Sequence, residues 1–434
     1  MKARRTSIAL AAVAAAMLLA VVLVAVLGVA LVVWLNRDDE LGPAAAASPA
    51  DAATTIARGE YLVRAGSCFG CHTAPGGAPY AGGRAIETPF GVVHAPNLTP
   101  DATGLAGWTS DDFWRALHNG RARNGRLLYP AFPYPNYTRL ARADSDAMFA
   151  YLQRLAPVAK PNRAHALRFP FDQQAALAVW RALFFRPARF AIDPARSPQW
   201  NRGAYLVETL GHCNACHSQR NVLGATAGPL DLAGGLIPIQ NWYAPSLHDN
   251  REAGVGDWSE REVVALLQSG VSARGSVQGP MAEVVARSTR YLSDSDLVAM
   301  AIYLRALPPT ERSAAPPNEA AAAPSERGAR LYADRCANCH GERGEGVAGA
   351  YPALTGNRAI ALSPPANLVH VVLRGGFPPT TAGNPRPFGM PPFATVLSDQ
   401  DIADVLSHIR ASWGQRAPAV SALEVSRYRG ASSR

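Results

Sequence analysis

The sequence predicts an all-α protein, with three tandem helical units behind one N-terminal transmembrane helix. Three observations predict it. The pattern Cys-x-x-Cys-His occurs three times, as Cys68-Phe-Gly-Cys71-His72, Cys213-Asn-Ala-Cys216-His217 and Cys336-Ala-Asn-Cys339-His340. Each copy follows a short stretch that opens with Arg-Gly and has helical apolar spacing: Arg58-Gly59-Glu-Tyr61, Arg202-Gly203-Ala-Tyr205 and Arg327-Gly328-Ala-Arg330. Ahead of all three lies an uncharged run over residues 8–35.

Six cysteines and ten histidines in 434 residues would give roughly 0.002 copies of the pattern by chance, so composition does not explain three. The motifs use all six cysteines and leave none for a disulfide. A structural zinc needs ligands from separate knuckles, and a redox Cys pair needs no following His. The spacing is that of c-type haem attachment, in which two thiols add across the haem vinyl groups and the adjoining His ligates the iron. Three covalently bound haem c groups are expected, on Cys68 and Cys71, Cys213 and Cys216, and Cys336 and Cys339. The proximal ligands are then His72, His217 and His340.

The length has room for about three domains. The expected layout is an anchor at 1–37, a tether at 38–55, unit one at 56–156 and an interunit segment at 157–200. Unit two follows at 201–308, a linker at 309–325, unit three at 326–415 and a basic tail, expected to be disordered, at 416–434. The net charge is +9. Haem propionates would offset much of it, and the remainder would steer an acidic protein partner. There is no basic stripe interleaved with aromatics, which sets nucleic acid aside.

Lys2, Arg4 and Arg5 precede the apolar run. As a helix it would span about 42 Å, against a hydrocarbon core of about 30 Å. A secretory h-region is usually about 7–15 residues, so an uncleaved signal anchor is the expectation, with Trp34 at the interface. The alternative is a cleaved peptide, since residues 44–47 are all Ala. Basic residues before the span put the N-terminus in the cytoplasm and the rest outside the inner membrane, on the periplasmic side.

Each unit is expected to close with an amphipathic helix, over 146–155, 294–307 and 399–413, with an Asp near its start as a cap or first-turn acid. Small class I cytochromes c cross their first and last helices at a glycine, and Gly59, Gly203 and Gly328 would permit that approach. Between these helices each unit has a Pro segment, at Ala95-Pro96, Ala244-Pro245 and Tyr351-Pro352. A backbone carbonyl there is expected to accept the proximal His Nδ1–H; a plain turn proline is the alternative. Gly120 and Gly270 align, as do Pro130 and Pro280. In the interunit segment, residues 175–185 are apolar nearly all round, which predicts burial at the seam of two units or against a partner.

His/Met ligation raises the potential and closes the iron to outside ligands. Met281 and Met390 sit in Gly/Pro turns at the expected places. Met148 and Met300 lie inside closing helices and are expected in the core. Unit one has Phe132 where Met is expected. Its haem is then five-coordinate or takes another ligand, His118 first and His94 second, each weighed against an ordinary surface His. His165, His248, His370 and His408 have no such pointer and are read as structural or solvent-exposed.

These features together resemble the tri-haem cytochrome c subunits of bacterial membrane-bound periplasmic dehydrogenases for alcohols, gluconate, sorbitol and aldehydes. The resemblance covers roughly residues 55–415. It rests on the second Arg-Gly stretch with Gly211-His-Cys213, on Ala95-Pro-Asn-Leu-Thr-Pro-Asp101 with Gly107-Trp108, on Leu128-Tyr-Pro-Ala-Phe132, and on Met281-Ala-Glu-Val-Val285. It implies three class I cytochrome c domains in tandem. It also implies electron transfer from a catalytic subunit (a molybdoprotein, flavoprotein or quinoprotein) to ubiquinone or a terminal oxidase. Phe132 departs from the usual Met and resembles the branch serving molybdenum-containing aldehyde or N-heterocycle oxidising enzymes. The uncleaved anchor departs from members exported with a cleaved signal. No Gly-rich nucleotide loop follows a strand, so the chain itself is not expected to be an enzyme. Two further readings are a peroxidase-like multihaem enzyme with an open first iron and a stand-alone membrane-tethered shuttle.

Overall fold

The computed structural model describes residues 2–37, 52–228, 231–309 and 325–430. Most of the tether, nearly all of the second linker and the last four residues of the tail lie outside them. The chain is mostly helical. Helix α1 spans Lys2–Leu35. Unit one is framed by α2 (Ala52–Ala65), α3 (Ser110–Asn119) and α4 (Arg142–Leu152). Helix α5 (Gln174–Phe184) occupies the interunit segment. Unit two is framed by α6 (Pro198–Tyr205), α7 (Glu260–Ser269) and α8 (Asp294–Arg305). Unit three has α9 (Glu326–Arg335), α10 (Ala366–Arg374) and α11 (Asp399–Ala411), followed by α12 (Ala422–Gly430).

The all-α expectation omitted short antiparallel ribbons. Strand β1 (Ala85–Thr88) pairs with β2 (Gly91–His94), aligning Ala85 with His94. Strand β3 (Ala166–Leu167), from the interunit segment, adds to the other edge of β2, aligning Gly91 with Leu167. This small sheet ties the segment back onto unit one.

The glycine crossings are present in all three units. A Cβ at Gly59 would lie 1.9 Å from the Ala147 carbonyl oxygen on α4. The same atom at Gly203 would lie 2.0 Å from Ala299 O, and at Gly328 2.4 Å from Asp404 O. Only a residue without a side chain lets the two backbones meet. The arginine just before each glycine has a role that its sequence alone did not reveal. Arg58 binds Asp144 (Nε to Oδ1, 2.9 Å), Arg202 forks onto Asp296 at 2.8 and 2.7 Å, and Arg327 reaches Asp401 at 2.5 Å. Each clamp joins the first helix of a unit to its last.

The expected caps shift by residue. Ser293 and Ser398 cap α8 and α11, with Asp296 and Asp401 in the first turns. Helix α4 starts earlier than expected, after Ala141, and has no side-chain cap. Its Asp144 is committed elsewhere, because units one and two exchange hydrogen bonds. Tyr205 of unit two donates to Asp144 Oδ2 at 2.6 Å, and Tyr61 of unit one donates to Asp296 Oδ2 at 2.5 Å. Tyr61 and Tyr205 occupy the same repeat position, so the exchange is reciprocal. Burial alone would raise the Asp296 carboxyl; the hydrogen bonds from Arg202 and Tyr61 outweigh it and hold it below its usual range. The two units share one hydrophobic core, running from Leu62, Trp114 and Met148 to Leu206, Val263 and Met300. Unit three has Arg330 at the tyrosine position, makes no such exchange and has its own core around Val369, Ile402 and Leu406.

Unit three joins unit two differently. Asn367 pairs with the Tyr243 backbone, accepting at 2.9 Å and donating at 2.7 Å. His370 is fully buried and stacks on Trp242 of unit two, with centroids 5.0 Å apart. Its Nε2–H donates to Asn241 O at 3.1 Å. This makes His370 structural, as expected of it.

Two expectations are corrected. The tail is folded through residue 430. Arg410, buried, donates to Pro418 O at 2.7 Å and to Ile360 O at 2.6 Å, and Val420 and Val425 enter the third core. Helix α5 is not buried all round. It buries Leu177, Arg181 and Ala182, while Val179 is 46% and Leu183 62% exposed.

Two outcomes are expected. Gly203→Ala, with no room for its Cβ, should destabilise the protein by about 3 kcal/mol or more, read as a fall in the thermal midpoint by circular dichroism; an unchanged midpoint would refute the crossing. Burial holds His370 down at about 4. The unfolded chain therefore binds more protons between about pH 6.5 and pH 4. The stability owed to neutral His370 is complete above about pH 6.5 and is lost as pH falls through that window. The stability difference between wild type and His370→Gln should shrink over the same window, measured by paired urea unfolding.

Candidate functional site

Each Cys-x-x-Cys-His motif follows the first helix of its unit, in unit two after a π-helical turn over Leu206–Leu210. Ser67, ahead of Cys68, is left-handed (φ 53°), and so is His212 ahead of Cys213 (φ 38°). That turn breaks the helix and starts a short new one carrying the cysteines. The first copy is a helical turn over Cys68–His72. The second is the tighter Cys213–Ala215.

The three motif histidines share one second contact. His72 Nδ1–H donates to Pro96 O at 2.8 Å, His217 to Pro245 O at 2.7 Å and His340 to Pro352 O at 3.0 Å. These are the prolines of the recurring segment, and the expected carbonyl bond is present in every unit. A carbonyl only accepts, so Nδ1 carries the hydrogen and the lone pair of the neutral ring sits on Nε2. Burial pushes all three imidazoles below their usual value, against the opposing effect of the proline carbonyl. A neutral ring with its lone pair on Nε2 and its other nitrogen tied to a carbonyl is the arrangement of a metal-ligating His.

The cysteines suit a neutral sulfur. Burial pushes the Cys68 and Cys213 thiols up to about 12 and Cys336 up to about 11. A redox or zinc cysteine needs its thiolate; these pockets disfavour it. Among the described residues no three His, Cys, Asp or Glu side chains cluster as a metal site by themselves. The donor set therefore fits a group that brings its own metal and is held by thioethers.

The sixth-ligand candidates divide as follows. Met281 is partly buried against the shared core that also contacts Cys213. Met390 is partly buried against the core of unit three, as is Cys336. Met390 is held by a reciprocal backbone pair with Gly376 at 2.9 and 3.0 Å, and Gly375 leaves its carbonyl room: a Cβ there would lie 2.2 Å from Met390 O. Met148 and Met300 are buried in the core, as expected. In unit one, Phe132 packs 5.5 Å from the Tyr137 ring. Tyr137 donates to Gly66 O at 2.8 Å and faces His212 edge-on at 5.8 Å. Burial, and then Cys68 and Cys71, push its phenol well up. His118 is buried, stacks on Trp114 at 4.6 Å and donates from Nδ1 to Thr138 O at 2.6 Å. His94 lies on β2 and donates from Nδ1 to Ala164 O at 2.9 Å.

Residues that the sequence reading missed bring the first two motifs together. Asn136 donates to Glu208 O at 2.8 Å and to Asn214 Oδ1, inside the second motif, at 2.6 Å. Ser288 donates to Ala65 O, just before the first motif, at 2.8 Å. No spacing in the sequence signals these contacts; they follow from the exchange of Tyr61 and Tyr205.

The Cytochrome c family model matches residues 56–156 and 325–413. The chain is 39% identical over 407 residues to the cytochrome c subunit of a quinone-dependent alcohol dehydrogenase of Gluconacetobacter polyoxogenes, covering 89% of this chain and 87% of that one. It is 38% identical to the gluconate 2-dehydrogenase cytochrome c subunit of Pantoea cypripedii, covering 86% and 89%. It is 33% identical to the fructose dehydrogenase cytochrome subunit of Gluconobacter japonicus, covering 86% and 82%. The chain belongs to the family of dehydrogenase cytochrome c subunits, whose cytochrome c domains imply covalently bound haem c.

Proposed function

We propose that the chain is a membrane-anchored carrier built of three tandem class I cytochrome c domains. It takes electrons from a periplasmic dehydrogenase catalytic subunit and passes them to ubiquinone or a terminal oxidase. The observation that carries this is the threefold repetition of one tautomer-fixing bond, from His72, His217 and His340 to Pro96, Pro245 and Pro352. Haem c, bound at each motif, supplies a one-electron couple. Cys68 and Cys71, Cys213 and Cys216, and Cys336 and Cys339 hold the three groups. The proline carbonyls orient the histidines and raise their basicity. Met281 and Met390 supply the soft second donors that raise the potential of their sites.

For the first site the sixth ligand proposed is His118, ahead of His94. Its Nδ1–H is donated to a backbone carbonyl, as in the three proximal histidines, and it adjoins Thr138, next to Tyr137 at the first motif. Phe132 in place of Met favours the second reading, an open first iron with peroxidase-like chemistry.

The anchor reading has its own support. Asn36, directly after the apolar helix, is buried. It donates to Ala178 O at 2.9 Å and accepts from Arg181 Nε at 3.0 Å, while Arg121 binds its carbonyl. A segment discarded after export has no use for such contacts. No residue of the span Ala12–Leu35 is buried in the structure, as in a lipid-facing helix.

The purified chain should carry three haems by pyridine haemochrome assay against protein concentration; two would exclude the assignment of one motif. Reduced wild type should bind no carbon monoxide, and His118→Leu should bind one equivalent per chain. Stoichiometric binding by wild type would overturn the ligand and favour the open site. A C-terminally tagged chain, gently solubilised, should retain a molybdoprotein, flavoprotein or quinoprotein subunit by mass spectrometry; recovery of the chain alone would favour the shuttle.

A further inference from the structure

We infer that the outer face of α5, with the loop 221–224, forms a second and shallow membrane contact, lying in the headgroup layer of the bilayer that α1 crosses. This rests on the anchor reading of α1. Helix α5 sits at the depth where the anchor ends. Asn36, one residue past the apolar span, hydrogen-bonds Ala178 in the middle of α5 at 2.9 Å. The last turn of α1 packs on α5, and Val32 and Leu35 are the residues of that turn that lose exposure. A helix in contact with that turn lies within about 10 Å of the apolar boundary.

The face that α5 turns outward is apolar. Leu177 and Arg181 point inward, with Arg181 between Asn36 and the Tyr134 and Phe185 rings. Ala175, Val179 and Leu183, each four residues apart, form the exposed stripe. Phe184 extends it and packs 5.6 Å from Trp180. Trp180 donates from Nε1 to Leu223 O at 2.9 Å, which brings a unit-two loop alongside. In that loop Val222 is 93% and Leu223 40% exposed. Two segments distant in sequence thus present large apolar side chains together, at the foot of the anchor. Arg186 and Arg189 follow at the end of α5, both exposed, as befits a helix against anionic headgroups. Trp180 itself, an apolar ring with its N–H satisfied by a carbonyl, is the residue type that favours that layer. A patch of this kind in water needs a cover, and the bilayer is the cover that the position of α1 supplies.

The test uses the full-length chain in nanodiscs of zwitterionic and anionic lipid. The native cysteines are consumed as thioethers, so a single introduced cysteine takes a nitroxide label. Labels go at Leu183→Cys and Val222→Cys in the patch, Val29→Cys in the anchor, and Val396→Cys on unit three as the aqueous reference. Power saturation then compares access to oxygen with access to a water-soluble nickel chelate. The expected result is that the Leu183 and Val222 labels lose nickel access and gain oxygen access relative to Val396, as the Val29 label does. If Val29 is shielded but Leu183 and Val222 behave like Val396, the second contact is overturned and the anchor stands. Shielding of those two positions only after the catalytic subunit is added would likewise overturn it and assign the face to that partner. Nickel access at Val29 as well would remove the anchor reading and the inference with it.

Discussion

The structure depends on the place where two helices of each unit cross at a glycine and an arginine beside it grips an aspartate on the opposite helix. The missing side chain lets the backbones approach to contact distance. The ion pair fixes the register of that contact. Asp144 and Asp296 are almost fully buried, so each charge is tolerable only because a guanidinium and a phenol satisfy it. Truncating a partner of such a pair costs more than the pair contributes, since a buried charge is left behind. The clamp therefore specifies one crossing geometry, whatever its net stabilisation. From that crossing the first helix delivers its C-terminal end, and with it the cysteine motif, to one defined place in each unit.

The same clamp decides how the units assemble. In units one and two the residue three after the arginine is tyrosine, and each tyrosine reaches the aspartate of the other unit. Self-complementary exchange of this kind is how two copies of a protein make a symmetric dimer, here within one chain. It fuses two cores into one and brings the surroundings of the first two motifs into contact. Unit three, with Arg330 at that position, has no phenol to offer. It is joined instead through Asn367 and His370, which meet Tyr243 and Trp242, and through Arg358, which donates to Gly254 O at 2.9 Å. A Cβ on Gly279, which leads into Met281, would lie 2.6 Å from that tryptophan ring. Met281 lies in the first turn of a helix over Gly279–Arg287 and not in the turn expected of it, and the start of that helix and the seating of unit three are linked through one side chain.

Much of this was legible in the sequence because it rests on local chemistry. The Arg-Gly stretches and the recurring prolines each state a requirement of a few neighbouring residues, and the glycine crossings and the histidine–proline bonds meet it in every unit. The tail shows where composition misleads. Its basic residues suggest a solvated chain, yet Ser421 and Glu424 form the reciprocal cap of a helix start, with the Ser421 backbone donating to Glu424 at 2.8 Å and Glu424 N–H to Ser421 at 3.2 Å. That signal was readable. The half-exposed state of α5 was not, since apolar composition says that a face needs a cover and does not say which. The exchange of Tyr61 and Tyr205 was equally hidden, because both tyrosines read as ordinary residues of an amphipathic helix.

The loss of methionine from unit one has a structural reading in the same terms. The segment after Phe132 carries several packing duties at once. Tyr134 is fully buried, beneath Arg181 and edge-on to Phe185 at 4.8 Å. Asn136 holds the approach to the second motif, and Tyr137 holds the carbonyl two residues before Cys68. One line of contacts therefore runs from Asn36 at the end of α1, through Arg181 and Tyr134, to Tyr137 and Gly66. A segment that joins the end of α1 to two cysteine motifs is packed with aromatic rings that fix its course. A flexible thioether placed among them would have to give up the adaptability that makes methionine a good loop ligand. A phenylalanine at position 132 completes the aromatic wall with Tyr134 and Tyr137, and no sulfur is presented from this loop.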